Sequence, residues 1–170
     1  MIIIIEGIDR VGKTTLAQAL CEKRNIPIFK KIREGGNEAD GQYETMMNYG
    51  NALGLVEVWN QDWFTQDLIV DRFHWTEAVY GKCERHTLIP LQCMKNVENE
   101  MLFHKEKYLI VYVKPTDIEF SSRLHGKSLV AHELEFNQLY DRSHLNKIET
   151  NYDNLNNALK EIEKWLDQKS

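Results

Sequence analysis

The sequence predicts an α/β protein in which a five-stranded parallel sheet is covered by helices on both faces, a three-layer α/β/α arrangement. Three observations predict it. Short, nearly unbroken apolar runs recur at residues 2–5, 26–32, 68–70 and 109–113, and the longer segments between them carry helical spacing. Strands buried on both faces read as continuous apolar runs, and parallel strands need crossover segments of about that length. The first run leads directly into Gly7-Ile8-Asp9-Arg10-Val11-Gly12-Lys13-Thr14, which has the spacing G-x-x-x-x-G-K-[ST] of a strand-to-helix phosphate loop. Near the C-terminus, Leu155, Leu159, Ile162 and Leu166 fall at i, i+4, i+7 and i+11, the stripe of a helix lying on a sheet.

Taken in order, Ile2 to Ile5 is a strand, and a helix opens near Lys13 with Leu16 and Leu20 on its inner side. The second run, 26–32, ends in the loop-like cluster 34–41. From Gly35 to Asp71 there is no Lys or Arg, while Tyr43, Met46, Met47, Tyr49, Leu53, Leu55, Val58, Trp59, Trp63 and Phe64 make the stretch mainly core. Part of it is a candidate wall for a planar ring, with Asn48, Asn51, Asn60 or Gln61 at its edge. The third run ends in Asp71, and Thr76, Glu77 and Tyr80 continue on a short helix beside it. The fourth run stops at Lys114-Pro115, and a helix from Thr116-Asp117 leads to Arg123 and the loop-like cluster 125–128. A fifth, more polar strand is expected at residues 147–150.

A chain of 170 residues with 42% hydrophobic content builds one core and is short for two domains, so a single domain over 1–170 is expected. Its net charge of -5 lacks the basic footprint of a nucleic-acid surface and favours a small soluble ligand. Cys21, Cys83 and Cys93 are odd in number and widely spaced, which fits reduced thiols rather than a disulfide frame or zinc site. The N-terminus has no signal-peptide pattern and no apolar run approaches a membrane span, so a cytoplasmic protein without a membrane partner is expected.

Ligands of open α/β sheets sit beyond the carboxyl ends of the strands. After the first strand, Gly7 and Gly12 let backbone N–H groups face a triphosphate, together with Val11 and Thr15, and the helix adds its positive end. Lys13 meets the β- and γ-phosphates of ATP, and Thr14 offers a hydroxyl to Mg²⁺. Inside the loop, Arg10 is placed either to reach the γ-phosphate or to remain in solvent; Asp9 either accepts from a sugar hydroxyl or pairs with Arg10. After the second strand, Arg33 is a candidate for an acceptor phosphate and Glu34 for orienting or deprotonating an acceptor; both are equally at home in an exposed loop. After the third strand, Asp71 suits a metal-holding position and Arg72 a phosphate clamp, the alternative being a surface ion pair. After the fourth, Arg123 is a candidate for the base or a phosphate, and residues 123–132, with Gly126 between cations, for a short lid.

These residues resemble a known family. Glu6-Gly7-Ile8-Asp9-Arg10-Val11-Gly12-Lys13-Thr14-Thr15 is similar to the phosphate loop of one subtype of the thymidylate kinases, within the wider nucleoside and nucleotide kinase group. Arg33-Glu34-Gly35-Gly36 is similar to the family's R-E-P-G-G segment without the proline. Asp71-Arg72-Phe73-x-x-Thr76-x-x-x-Tyr80 resembles its D-R-Y-x-x-S-x-x-x-Y stretch, and the resemblance continues through Pro115, Arg123, Glu133 and Phe136. It implies a P-loop kinase fold and transfer of the ATP γ-phosphate to a nucleoside monophosphate. Asp9 would lie near the acceptor sugar, Arg10 on the donor phosphates and Arg72 on the acceptor phosphate, with Arg33, Glu34, Phe73, Thr76 and Tyr80 completing the acceptor side. The family's base-reading arginine has no counterpart in the arginine-free stretch before Asp71, and the chain is shorter than the usual member.

A nucleoside monophosphate kinase with Lys13, Arg10, Arg72 and Asp71 as its catalytic set is therefore the leading expectation, with a thymidylate-like acceptor favoured. A deoxynucleoside kinase using Glu34 as base is the alternative, and a non-catalytic nucleotide-binding module a third of another class. The expected partner is a small nucleotide or nucleoside; a homodimer is compatible with the sequence.

Overall fold

The computed structural model describes residues 1–30, 41–84, 89–125 and 128–168. Its strands are β1 (Ile2–Glu6), β2 (Ile28–Lys30), β3 (Leu68–Asp71), β4 (Tyr108–Lys114) and β5 (Asn146–Asn151). They form one sheet in the order β2-β3-β1-β4-β5, with every neighbouring pair parallel. The central strand β1 pairs Ile5 with Asp71 on one side and Val111 on the other. All five residues of β1 are buried, because both faces of a central parallel strand are covered. The edge strand β5 is mostly half-exposed, which is why its sequence, Asn146-Lys147-Ile148-Glu149-Thr150-Asn151, is polar.

The helices are α1 (Lys13–Arg24), α2 (Gly41–Asn60), α3 (His74–Glu84), α4 (Ile89–Leu102), α5 (Ile118–His125), α6 (Val130–Arg142) and α7 (Leu155–Asp167). α1 lies against β1, β2 and β3 and touches α7, so these two helices share one layer. α2, α3 and α4 pack on one another, α3 also on α6, as the second layer. Lys23 and Arg24 at the end of α1 tie it to Glu163 and Asp167 of α7. On α7, Ile162 and Leu166 are buried and Leu155 and Leu159 pack against the core, as the stripe predicts.

The strand predicted at 26–32 is confined to Ile28–Lys30 among the described residues; Lys31 and Ile32 lie outside them. The stretch before β3 is less uniformly core than expected. Val56 and Trp59 are buried, but Trp63, in the turn after the end of α2, is 69% exposed. Cys21, Cys83 and Cys93 are half-buried and form no disulfide with one another. No helix among the described residues is long and apolar enough to cross a membrane.

The topology places the phosphate loop at the middle of the sheet's carboxyl edge, and the loop is anchored by its own apolar residues. Ile8 and Val11 are buried in the core. Gly7 has φ 140°, and a Cβ there would collide with the Val113 carbonyl of β4. Gly7→Ala is expected to cost at least about 2 kcal/mol of stability from strain alone. A denaturant titration checks it; an unchanged midpoint would show that the loop moves freely from β4.

Candidate active site

Gly12, with φ 91°, leads into α1 without any side-chain cap, so the helix presents open backbone N–H groups to the cleft. Lys13 is the first residue of that helix and is only 3% exposed. Its ammonium donates to the Ile8 carbonyl, curling back over the loop. Burial, then the nearby Arg72, lowers its pKa to about 7 against the opposing pull of Asp9, Asp71 and Glu6.

Register brings the end of β3 alongside this loop. Thr14 Oγ1 donates to Asp71 Oδ2 at 3.0 Å. Asp71 Oδ1 is buried and has no hydrogen-bond partner among the described residues. A hydroxyl beside an under-satisfied carboxylate, next to a phosphate cradle, fits Mg²⁺, which takes one or two protein ligands and fills its octahedron with phosphate oxygens and water. No group of three or more His, Cys, Asp or Glu that could hold a metal occurs among the described residues, which such a site does not need.

Arg72 follows with φ 72°, a left-handed conformation rare outside glycine. Its guanidinium lies 2.5 Å from Asp9 Oδ1, so the charged residues of the two loops meet across the cleft. Arg10 is also left-handed, at φ 64°, and is exposed at the cavity's rim.

The backbone after Arg72 is held by Glu6, the last residue of β1, which is fully buried. Oε1 accepts from Phe73 N at 3.1 Å and Trp75 N at 2.9 Å. Oε2 accepts from Thr76 N at 3.1 Å and Thr76 Oγ1 at 2.5 Å. Thr76, expected on the acceptor, thus has its hydroxyl committed to Glu6. Phe73, also expected on the acceptor, is 4% exposed, with its ring 5.2 Å from that of Trp59; it packs in the core because the helix opening at His74 turns it inward. Tyr80 is buried near Asp9 and in ring contact with His132 at 5.0 Å; burial, then Asp9, pushes its phenol upward.

A cavity of about 600 Å³ runs from this cradle to the start of α5 and the turn after β5. That volume suits one nucleotide-sized ligand. Arg10, Val11, Gly12, Lys13, Thr14, Thr15 and Arg72 line one end; Pro115, Thr116, Asp117, Phe120, Ser121 and Asp153 line the rest. Asp117 Oδ1 caps α5 by accepting from Glu119 N and Phe120 N at 2.8 and 3.0 Å. The sequence reasoning missed Glu6, Phe120, Ser121 and Asp153 as site residues. For Glu6 and Asp153 there was a signal, an acid closing an all-isoleucine strand and an acid two residues past the end of β5; for Phe120 and Ser121 there was none. Arg123 is exposed on α5 and is not among the cavity's lining residues. Arg33 and Glu34 lie outside the described residues, as do Gly126 and Lys127 of the expected lid.

Solved structures share this architecture. The chain is similar to the YorR protein of Bacillus subtilis, solved in complex with phosphorylated GDP, at 18% identity and a TM-score of 0.71, covering 99% of this chain and 97% of that one. It is similar to deoxyadenosine kinase from M. mycoides with bound dATP at 14% identity and a TM-score of 0.62, covering 98% and 100% of the two chains. The same enzyme with products dCMP and a flexible dCDP gives 14% identity and a TM-score of 0.55 over 99% and 100%. No family model matches the sequence, and no curated protein matches it. At these identities the likeness establishes the fold, a three-layer α/β/α P-loop kinase fold.

Because the Lys13 pKa is lowered to about 7, its ammonium is increasingly neutral above that pH, and an anionic ligand there would favour its protonated form. Nucleoside triphosphate affinity is expected to fall as pH rises from 7 to 9, by up to about tenfold per unit. Titration of a fluorescent ATP analogue checks it, and Lys13→Ala should bind weakly with that dependence lost.

Proposed function

We propose that the chain is an ATP-dependent phosphotransferase that moves the γ-phosphate to a small nucleotide, with a deoxynucleoside monophosphate of the thymidylate type as favoured acceptor. The observation that carries this reading is the convergence of Lys13, Thr14, Asp71, Arg72 and Asp9 at the adjoining ends of β1 and β3. A plain nucleotide-binding loop needs Lys13 and Thr14; an arginine next to them has a use when a second phosphate must be brought to the first. The fold shared with a deoxyadenosine kinase supports the same class of chemistry.

Transfer of this kind is in-line and forms no covalent enzyme intermediate, so the protein's part is positioning and charge stabilisation. Backbone N–H groups of the loop and of α1 orient the donor phosphates. Lys13 leaves the Ile8 carbonyl for the β- and γ-oxygens, and Arg10 covers the donor from the rim. Arg72 holds the acceptor phosphate, and Asp9, released from Arg72, accepts from the acceptor sugar. Thr14 and Asp71 would hold Mg²⁺, which when bound neutralises charge on the triphosphate. Pro115, Phe120 and Asp153 bound the part of the cavity left for the donor's nucleoside. In this reading Arg33 and Glu34 serve the acceptor, and residues 123–132, with Arg123, close over the donor.

A specific observation favours a second reading. Arg72 is already paired with Asp9, and that pair meets a neutral sugar hydroxyl without rearrangement. A deoxynucleoside acceptor, with Glu34 taking its proton, follows from that, and two of the similar structures are of a deoxyadenosine kinase. A panel of nucleosides and monophosphates with labelled ATP separates the two: turnover of nucleosides alone would overturn the leading reading. Tight ATP binding without any acceptor-dependent ADP release would indicate a binding module instead. Arg72→Ala is expected to lower acceptor turnover by roughly 10²–10³-fold while ATP binding is retained. Unchanged turnover would remove Arg72 from the acceptor's site.

A further inference from the structure

We propose that Glu6 is a positioning residue of this site, acting through Arg72: its buried carboxylate holds the backbone that presents the guanidinium to the acceptor. The proposal rests on the reading of Arg72 given above. Arg72 sits in the left-handed region at φ 72°, where an arginine stays only if its neighbours fix it. They do so from both sides. The Arg72 N–H donates to the Ile5 carbonyl at 3.0 Å, and the donors that follow, on Phe73, Trp75 and Thr76, all converge on Glu6 at 2.5–3.1 Å. Ile5 and Glu6 are consecutive residues of β1, so one short piece of the central strand sets the conformation of Arg72.

The choice of residue carries the argument further. A buried ionised carboxylate is tolerated only with its lone pairs filled, and here the open N–H groups at the start of α3 fill them. A leucine would fit the apolar strand better by type but would leave those donors without acceptors. Glu6 is followed at once by Gly7, so the strand end that fixes Arg72 also launches the phosphate loop carrying Asp9 and Lys13. Donor cradle and acceptor clamp are thereby referenced to the same two residues, and their separation does not depend on the longer loops around the cleft.

Glu6→Gln keeps the side chain's volume but turns an N–H₂ group towards donors that need an acceptor. Four proteins are compared: Glu6→Gln, Arg72→Ala, the double variant, and Thr76→Val, which removes only the hydroxyl bond. Acceptor kcat and KM, affinity for a fluorescent ATP analogue, and thermal midpoint are measured for each. Glu6→Gln is expected to lower kcat by about tenfold or more with donor affinity changed less than about threefold, and to cost less than about twofold when Arg72 is already alanine. Thr76→Val is expected to show a smaller loss of the same kind, and it carries the test should Glu6→Gln not fold. A full Glu6→Gln effect in the Arg72→Ala background, or donor binding and turnover falling together with stability, overturns the proposal. So does unchanged turnover in a folded Glu6→Gln protein beside a crippled Arg72→Ala. Unchanged turnover in Arg72→Ala itself overturns the reading of Arg72 and the proposal with it.

Discussion

The buried carboxylate at the end of β1 is the interaction on which the candidate site depends. β1 is the one strand flanked by both β3 and β4, and its last residue places a negative charge under the first turn of α3. Hydrogen bonds from N–H groups to a charged acceptor contribute about 1.5–3 kcal/mol each, and the helix's positive end adds to them. That energy holds a non-glycine residue in the left-handed region, which by itself is unfavourable by about 1–2 kcal/mol. The result is an arginine that leaves the sheet in a direction its own backbone preference would not give.

Around that fixed point the charges of the cleft are paired with one another. Asp9 neutralises Arg72, and Thr14 donates to Asp71. Lys13, pressed into the loop by burial and repelled by Arg72, rests on a backbone carbonyl. Such an arrangement avoids leaving like charges unscreened in a low-dielectric cleft. Under the proposed function, a triphosphate would have to draw Lys13 from Ile8, and a phosphate-bearing acceptor would have to draw Arg72 from Asp9. A neutral acceptor needs only the first exchange. In that reading the choice between a nucleotide and a nucleoside acceptor turns on the Arg72–Asp9 ion pair.

Much of this was legible in the sequence because it rests on local order. The alternation of apolar runs and helical segments gave the sheet, and the spacing of Gly7, Gly12, Lys13 and Thr14 gave the loop, since both are properties of consecutive residues. Asp71 beside Thr14 followed from strand ends sharing one edge. Phe73 and Thr76 fall on the acceptor side through the resemblance of the Asp71-Arg72-Phe73-x-x-Thr76 stretch, yet one side chain turns into the core against Trp59 and the other points to Glu6. Sequence proximity fixes which loop a residue belongs to, not which way it faces once a helix begins. Phe120 and Asp153 escaped notice for the opposite reason: they are far apart in the chain and meet only along the cavity wall.

The sequence by itself determined the class of fold and the phosphate loop, because hydrophobic periodicity and a glycine-dependent turn act over a few residues. Only the tertiary structure decided that Glu6 reaches α3, that Asp9 pairs with Arg72, and that the start of α5 and the turn after β5 close one cavity. Those contacts join residues up to a hundred or more positions apart, and it is the strand order β2-β3-β1-β4-β5 that brings them to one edge. No local pattern encodes that order.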